Sequence, residues 1–268
     1  MTLEGAIAAA ERTEAVRHLI DQAQTASVEL VTVSALELCV LGGPEHPLFE
    51  EAAAQAWMGL GNRQRKKLID SVTEGMIERG LLVGNSPGTG LPQPVGNYSL
   101  QPELGVMLAA RCRPAVIIVT ERAAANTRTP RFFALGDQTD PVRAVVAEVP
   151  TDLPADIAGN FPNVRKLGPL GWFYRYVLLP RDTAAQALAE LTIAPARQSG
   201  DVASTGWVVS AYHPGRQNPS GYRLRIQGDG VIARVDSPGT SDGNPAASEH
   251  DIEGLRRVML NLLTEASR

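Results

Sequence analysis

The pattern that most constrains this chain occurs twice: three short β-favouring runs in succession. The first copy, between Arg113 and Pro150, reads PAVIIVTE, RFFALGD and VRAVVAEVP; the second reads GWVVSAYH, GYRLRIQGD and GVIARVDS. Each run is rich in Val, Ile, Phe and Tyr and is bounded by Gly, Pro, Asn or Asp, as a pleated and partly buried strand requires. The pattern predicts a duplicated three-stranded meander.

The elements around the meanders repeat too. VELVTVSALEL stands ahead of the first copy and YRYVLLPRDTAAQAL ahead of the second, each a strand running into a capped helix. Val28 to Val33 is the first such strand. Ser34 stands three residues before Glu37, the capping-box spacing in which each side chain satisfies an orphan amide, so a helix SALELCVL starts there and stops at Gly42-Gly43-Pro44. WFYRYVLLP carries large residues on both faces of a strand; Asp182 caps the next helix, whose apolar stripe is Ala184, Leu188 and Leu191. The expected fold is α+β: a central antiparallel sheet from two pseudo-twofold-related halves, 28–160 and 172–266, flanked by N- and C-terminal helical bundles. The chain 1–268 then forms a single domain, with 1–27 as an N-terminal helix.

Other helices follow from apolar spacing. In RQRKKLIDSVTEGMIERGLL, Leu68, Val72 and Met76 form one stripe with Ile69 and Ile77 beside it, and Gly80 ends the helix. Residues 84–97 hold too much Gly and Pro for a regular element. LQPELGVMLAARC is helical, Pro102 being tolerated in the first turn. The last helix carries Ile252, Leu255, Met259, Leu262 and Leu263 behind an approximate capping box of Ser248 and Asp251.

Chemical motifs are scarce. His213 lacks partners at metal-ligand spacing, Gly228-Asp229-Gly230 joins two strands and reads as a hairpin turn, and Asp137, Asp140, Asp152 and Asp156 fall at turns and helix starts. There is no GxSxG or HExxH, so no catalytic signature emerges from the residues, and no cofactor or metal site is read from them; an enzyme whose site has no recognised motif stays open at this point. Cys39 and Cys112 lack CxxC spacing and read as a reduced pair. Neither a signal-peptide core nor an apolar run of ~20 residues is present, which points to a cytoplasmic protein without a membrane partner. A net charge of −4 offers no overall basic field for nucleic acid. The basic run Arg63, Arg65, Lys66, Lys67 opens a helix, where the macrodipole disfavours cations. It reads as a solvated face or as a contact surface. In the alternative reading, 63–120 is the winged-helix portion of a DNA-binding regulator, against which stands the Gly/Pro content of 84–97.

Several of these segments together resemble the EspG family, cytosolic chaperones of type VII (ESX) secretion. They are VSALELCVL, the polar helix ending in ERGLL, LQPELGVMLAARCRPAVIIV leading into the meander, and GWVVSAYHPG with GYRLRI and a terminal helix. The resemblance implies a central antiparallel sheet between helical bundles, and a non-enzymatic protein that holds the helical tip of a PE/PPE-type secretion substrate. It also implies a contact loop, here Arg122 to Pro130, with Arg122, Asn126 and Arg128 at the partner and Leu255, Met259 and Leu262 contributed by the last helix.

Overall fold

The computed structural model describes residues 14–42, 51–84, 98–122, 128–136, 144–155, 157, 164–199, 206–212, 220–226, 233–236 and 251–264. The elements in chain order are α1 (Glu14–Gln22), β1 (Val28–Ser34), α2 (Ala35–Gly42), α3 (Glu51–Met58), α4 (Asn62–Glu78), β2 (Leu82–Gly84), β3 (Tyr98–Leu100) and α5 (Pro102–Cys112). After these come β4 (Val116–Arg122), β5 (Arg131–Leu135), β6 (Ala144–Thr151), a 3-10 segment (Val164–Gly171), β7 (Phe173–Pro180), α6 (Arg181–Ser199), β8 (Gly206–Tyr212), β9 (Ser220–Ile226), β10 (Ala233–Asp236) and α7 (Ile252–Thr264). All six strands of the duplicated pattern are present.

The chain gathers into two compact units. One comprises Met1–Asp21, Glu29–Cys112 and Pro150–Val177, the other Gln22–Val28, Arg113–Val149 and Leu178–Arg268. These units are not the two sequence halves, since both meanders fall in the second.

In the second unit six antiparallel strands run in the order β6-β5-β4-β8-β9-β10. The order is mirrored about the β4–β8 pair, where Val119 faces Ser210 and Ile117 faces Tyr212. Each meander places its first strand at the centre and its third outermost, which is what a twofold axis between β4 and β8 produces. Central position accounts for the composition of β4: Val116, Ile117, Ile118 and Thr120 are all buried, so both faces of the strand are covered. α6 packs against α7, with Ala184, Ala185, Leu188 and Ala189 meeting Leu255, Met259, Leu262 and Leu263. Small residues on one helix admit large ones on the other, and each fully buried Leu or Met contributes about 1.5–3 kcal/mol.

Two helix starts differ from expectation. α6 begins at Arg181, one residue earlier, so Asp182 lies within the first turn, exposed, with its carboxylate 3.9 Å from Arg181 Nε, and does not cap. At α7 the cap is Asp251 itself, whose Oδ1 accepts the Gly254 amide at 2.7 Å. Ser248, like His213 and Gly228-Asp229-Gly230, lies outside the described residues.

In the first unit, β1 lies beside β7. The capping box at the β1–α2 junction forms as the spacing requires: Glu37 N–H donates to Ser34 Oγ at 3.1 Å, and Ser34 N–H donates to Glu37 Oε2 at 2.6 Å. The Ala35 amide donates to the Trp172 carbonyl at 2.7 Å, so the start of α2 is pinned to the end of the 3-10 segment. α4 buries Val72, Thr73 and Met76 and ends at Gly80, whose φ of +72° suits a residue without a Cβ. Ile69 and Ile77, expected beside the buried stripe, are exposed; the stripe is narrower than the sequence implies and has Thr73 at its centre. α5 is buried from Leu104 to Arg111, and the Arg111 guanidinium donates to the Tyr176 hydroxyl at 2.9 Å.

Candidate functional site

Three places among the described residues could serve a partner. The first is the β4–β5 connection in the second unit. Its base is clasped twice: the Thr120 hydroxyl donates to the Pro130 carbonyl at 2.7 Å, and the Thr129 hydroxyl donates to the Thr120 carbonyl. Thr120 is fully buried, so this clasp is paired polar chemistry inside the core, set by the register of β4 on β5. Of the loop residues implied by resemblance, Arg122 is the last residue of β4 and faces Trp207 in the strand register. Arg128 is half-buried beside the clasp, and Asn126 lies outside the described residues.

Leu255, Met259 and Leu262 are 1%, 0% and 1% exposed, interior to the second unit. The outward residues of α7 are Glu253, Arg257 and Asn261. Leu and Met at helical spacing mark the core side of a helix as readily as a docking side, and here packing against α6 decides it.

The second place is the α3–α4 pair. Gly59, Leu60 and Gly61 form a three-residue turn between the helices, and β2 and β3 pair antiparallel after α4, Leu82 facing Leu100. The turn is locked by Arg65, whose Nη2 donates to the carbonyls of Met58 at 3.1 Å and Leu60 at 3.0 Å while its guanidinium lies 5.6 Å from the Trp57 ring centre. Arg65 therefore satisfies the open carbonyl end of α3. Arg63, Lys66 and Lys67 remain as exposed cations. β2 and β3 form at the margins of the Gly- and Pro-rich stretch, from Leu82–Gly84 and Tyr98–Leu100; residues 85–97, for which no regular element was expected, lie outside the described residues.

The third is a cleft of about 740 Å³ in the first unit, lined by Val31, Thr32, Arg79, Leu81, Thr151, Asp152, Leu153, Pro154, Ile157 and Arg175. Behind its wall Arg79 donates from Nη2 to the Thr32 carbonyl at 3.2 Å and sets Nη1 3.2 Å from Glu37 Oε1. Burial pushes the Glu37 carboxyl above the ordinary glutamate range, opposed by the Arg79 charge and by the two hydrogen bonds from Ser34. Nothing in the sequence marked this cleft, because its lining comes from four separate stretches.

Among the described residues no group of three or more His, Cys, Asp or Glu is placed to hold a metal. No described helix is long and apolar enough to cross a membrane. Neither Cys39 nor Cys112 is in a disulfide; Cys112 is exposed, and burial pushes the Cys39 thiol up to about 12. Fold and surfaces define the class as an α+β protein with a six-stranded antiparallel sheet and flanking helices. No family model, curated protein or solved structure matches the chain.

Proposed function

We propose that this chain is a non-catalytic binding protein of the EspG kind: a cytoplasmic chaperone that holds the helical tip of a PE/PPE-type substrate of type VII (ESX) secretion, keeps it soluble and presents it for export. The observation that supports this reading is the mirrored six-stranded sheet, two meanders meeting at β4 and β8, which is the architecture the EspG resemblance implies. The clasp by Thr120 and Thr129 adds a fixed base for the contact loop. A sheet face with such a loop can supply the roughly 800 Å² per partner that a specific interface buries. The test is co-expression with helical-hairpin secretion substrates followed by size-exclusion chromatography. A stable one-to-one complex that Arg128→Glu or Asn126→Asp weakens supports the proposal; failure of every candidate substrate to co-elute overturns it.

A second reading has an observation of its own. The short α3–α4 turn, the exposed cations on α4 and the β2–β3 pair together have the element order of a winged helix, which lays its second helix in the major groove. That reading requires duplex binding whose affinity falls steeply with salt and is lost when Arg63, Lys66 and Lys67 are all changed to Ala. Salt-insensitive or absent binding removes it.

A further inference from the structure

We infer that the cleft of the first unit is a binding site for a monocarboxylate with an apolar body. Its volume of about 740 Å³ falls within the ~300–1,000 Å³ of small-ligand sites. The apolar wall is supplied by Val31, Leu153, Pro154 and Ile157, all half-exposed, which removes little water at present and leaves apolar surface for a ligand to cover.

Three charged groups line the cleft, and they are not equivalent. Arg79 is committed, one end to the Thr32 carbonyl and the other to Glu37, and serves as wall. Arg175 is 51% exposed and, among the described residues, pairs at 3.2 Å with Glu29, itself 63% exposed. Such an exposed surface pair is weak, so the guanidinium can exchange Glu29 for a ligand carboxylate at small cost and donate two parallel hydrogen bonds to it. Asp152, exposed on the same lining, repels a second negative charge. One anionic head, an apolar body and no further anion is the ligand these walls fit. A free acyl acid and the C-terminus of an apolar peptide both carry this head, and the experiment has an arm for each.

The proposal is independent of the chaperone reading. Binding to the full chain is measured by isothermal titration with decanoate and with N-acetyl-Leu-Leu, against decylamine and N-acetyl-Leu-Leu amide as the matched ligands without the anion. The expected result is saturable one-to-one binding of at least one carboxylate, about tenfold weaker for its uncharged or cationic counterpart and for Arg175→Gln, a difference of ~1.4 kcal/mol. Asp152→Asn should tighten the same carboxylate severalfold. Arg175→Gln removes an exposed side chain, and an unchanged circular dichroism melt shows that it folds. Decanoate alone identifies an acyl acid, the dipeptide alone a peptide terminus, and both the shared head chemistry. Binding of neither, or binding indifferent to Arg175→Gln or to loss of the carboxylate, overturns the proposal.

Discussion

Glu37 in the first unit and Glu148 in the second are both 1% exposed, and each lies beside an arginine that is itself nearly buried. They are held by different means. Glu37 is tied to its own chain, accepting the Ser34 amide and hydroxyl three residues away, and also has the Arg79 charge 3.2 Å off. Glu148 is held across strands: the β5–β6 register sets Arg131 opposite it, and Arg131 Nη1 reaches Glu148 Oε1 at 2.6 Å. A buried carboxylate can thus be stabilised by a local cap or by a long-range ion pair, and the two differ in what a substitution leaves behind.

The largest effect is expected at the long-range pair. Arg131→Ala removes the guanidinium held 2.6 Å from a buried carboxylate and should cost ~3–5 kcal/mol in urea unfolding, whereas Arg131→Met combined with Glu148→Leu should recover most of that. If both variants lose equally, the pair stabilises by packing and the contrast with Glu37 fails.

Glu37→Ala should cost less, about 1–3 kcal/mol, since it removes a cap and leaves the Ser34 amide unsatisfied while Arg79, losing its carboxylate, keeps its hydrogen bond to the Thr32 carbonyl. Glu37→Gln, which can still accept that amide, should cost less again.

A smaller effect separates charge from cap. Because burial raises the Glu37 carboxyl above the ordinary glutamate value of 4.5, the folded chain binds more protons than the unfolded one at that site. Stability contributed by protonated Glu37 is therefore present at low pH and declines as pH rises from about 4.5 through the raised folded value. Melting temperature followed over that range should fall more steeply for the wild type than for Glu37→Gln. Identical profiles would show that Arg79 and Ser34 already offset the burial.

The smallest effect is a rate. In the native chain a thiol reagent should modify Cys112 and spare Cys39, whose thiol is buried and pushed up to about 12. Glu37→Ala should expose Cys39, two residues further along α2, to the reagent before global unfolding, while Arg131→Ala should not. Equal reactivity in the two variants would mean that α2 does not open by itself.

Elements whose cause is local were legible in the chain. Ser34 and Glu37 make their capping box, Gly80 ends α4 with positive φ, and all six meander runs form strands. Features that depend on distant neighbours were not. Arg65 read as one of four surface cations until the carbonyls of Met58 and Leu60 and the ring of Trp57 were brought to it. Leu255, Met259 and Leu262, placed at the partner by the resemblance, are buried in a helix that packs on α6. The cleft drew on four separated stretches and left no motif.

By itself, then, the amino-acid order determined which segments become strands and helices and where several of them begin and end, because side-chain branching, caps and glycine act within a few residues. Only the tertiary structure decided that β4 pairs with β8, that the compact units cut across the two repeated halves, and which side of each amphipathic helix is interior. Those outcomes depend on which distant apolar surfaces exclude water together, and that free energy belongs to pairs of segments rather than to either one.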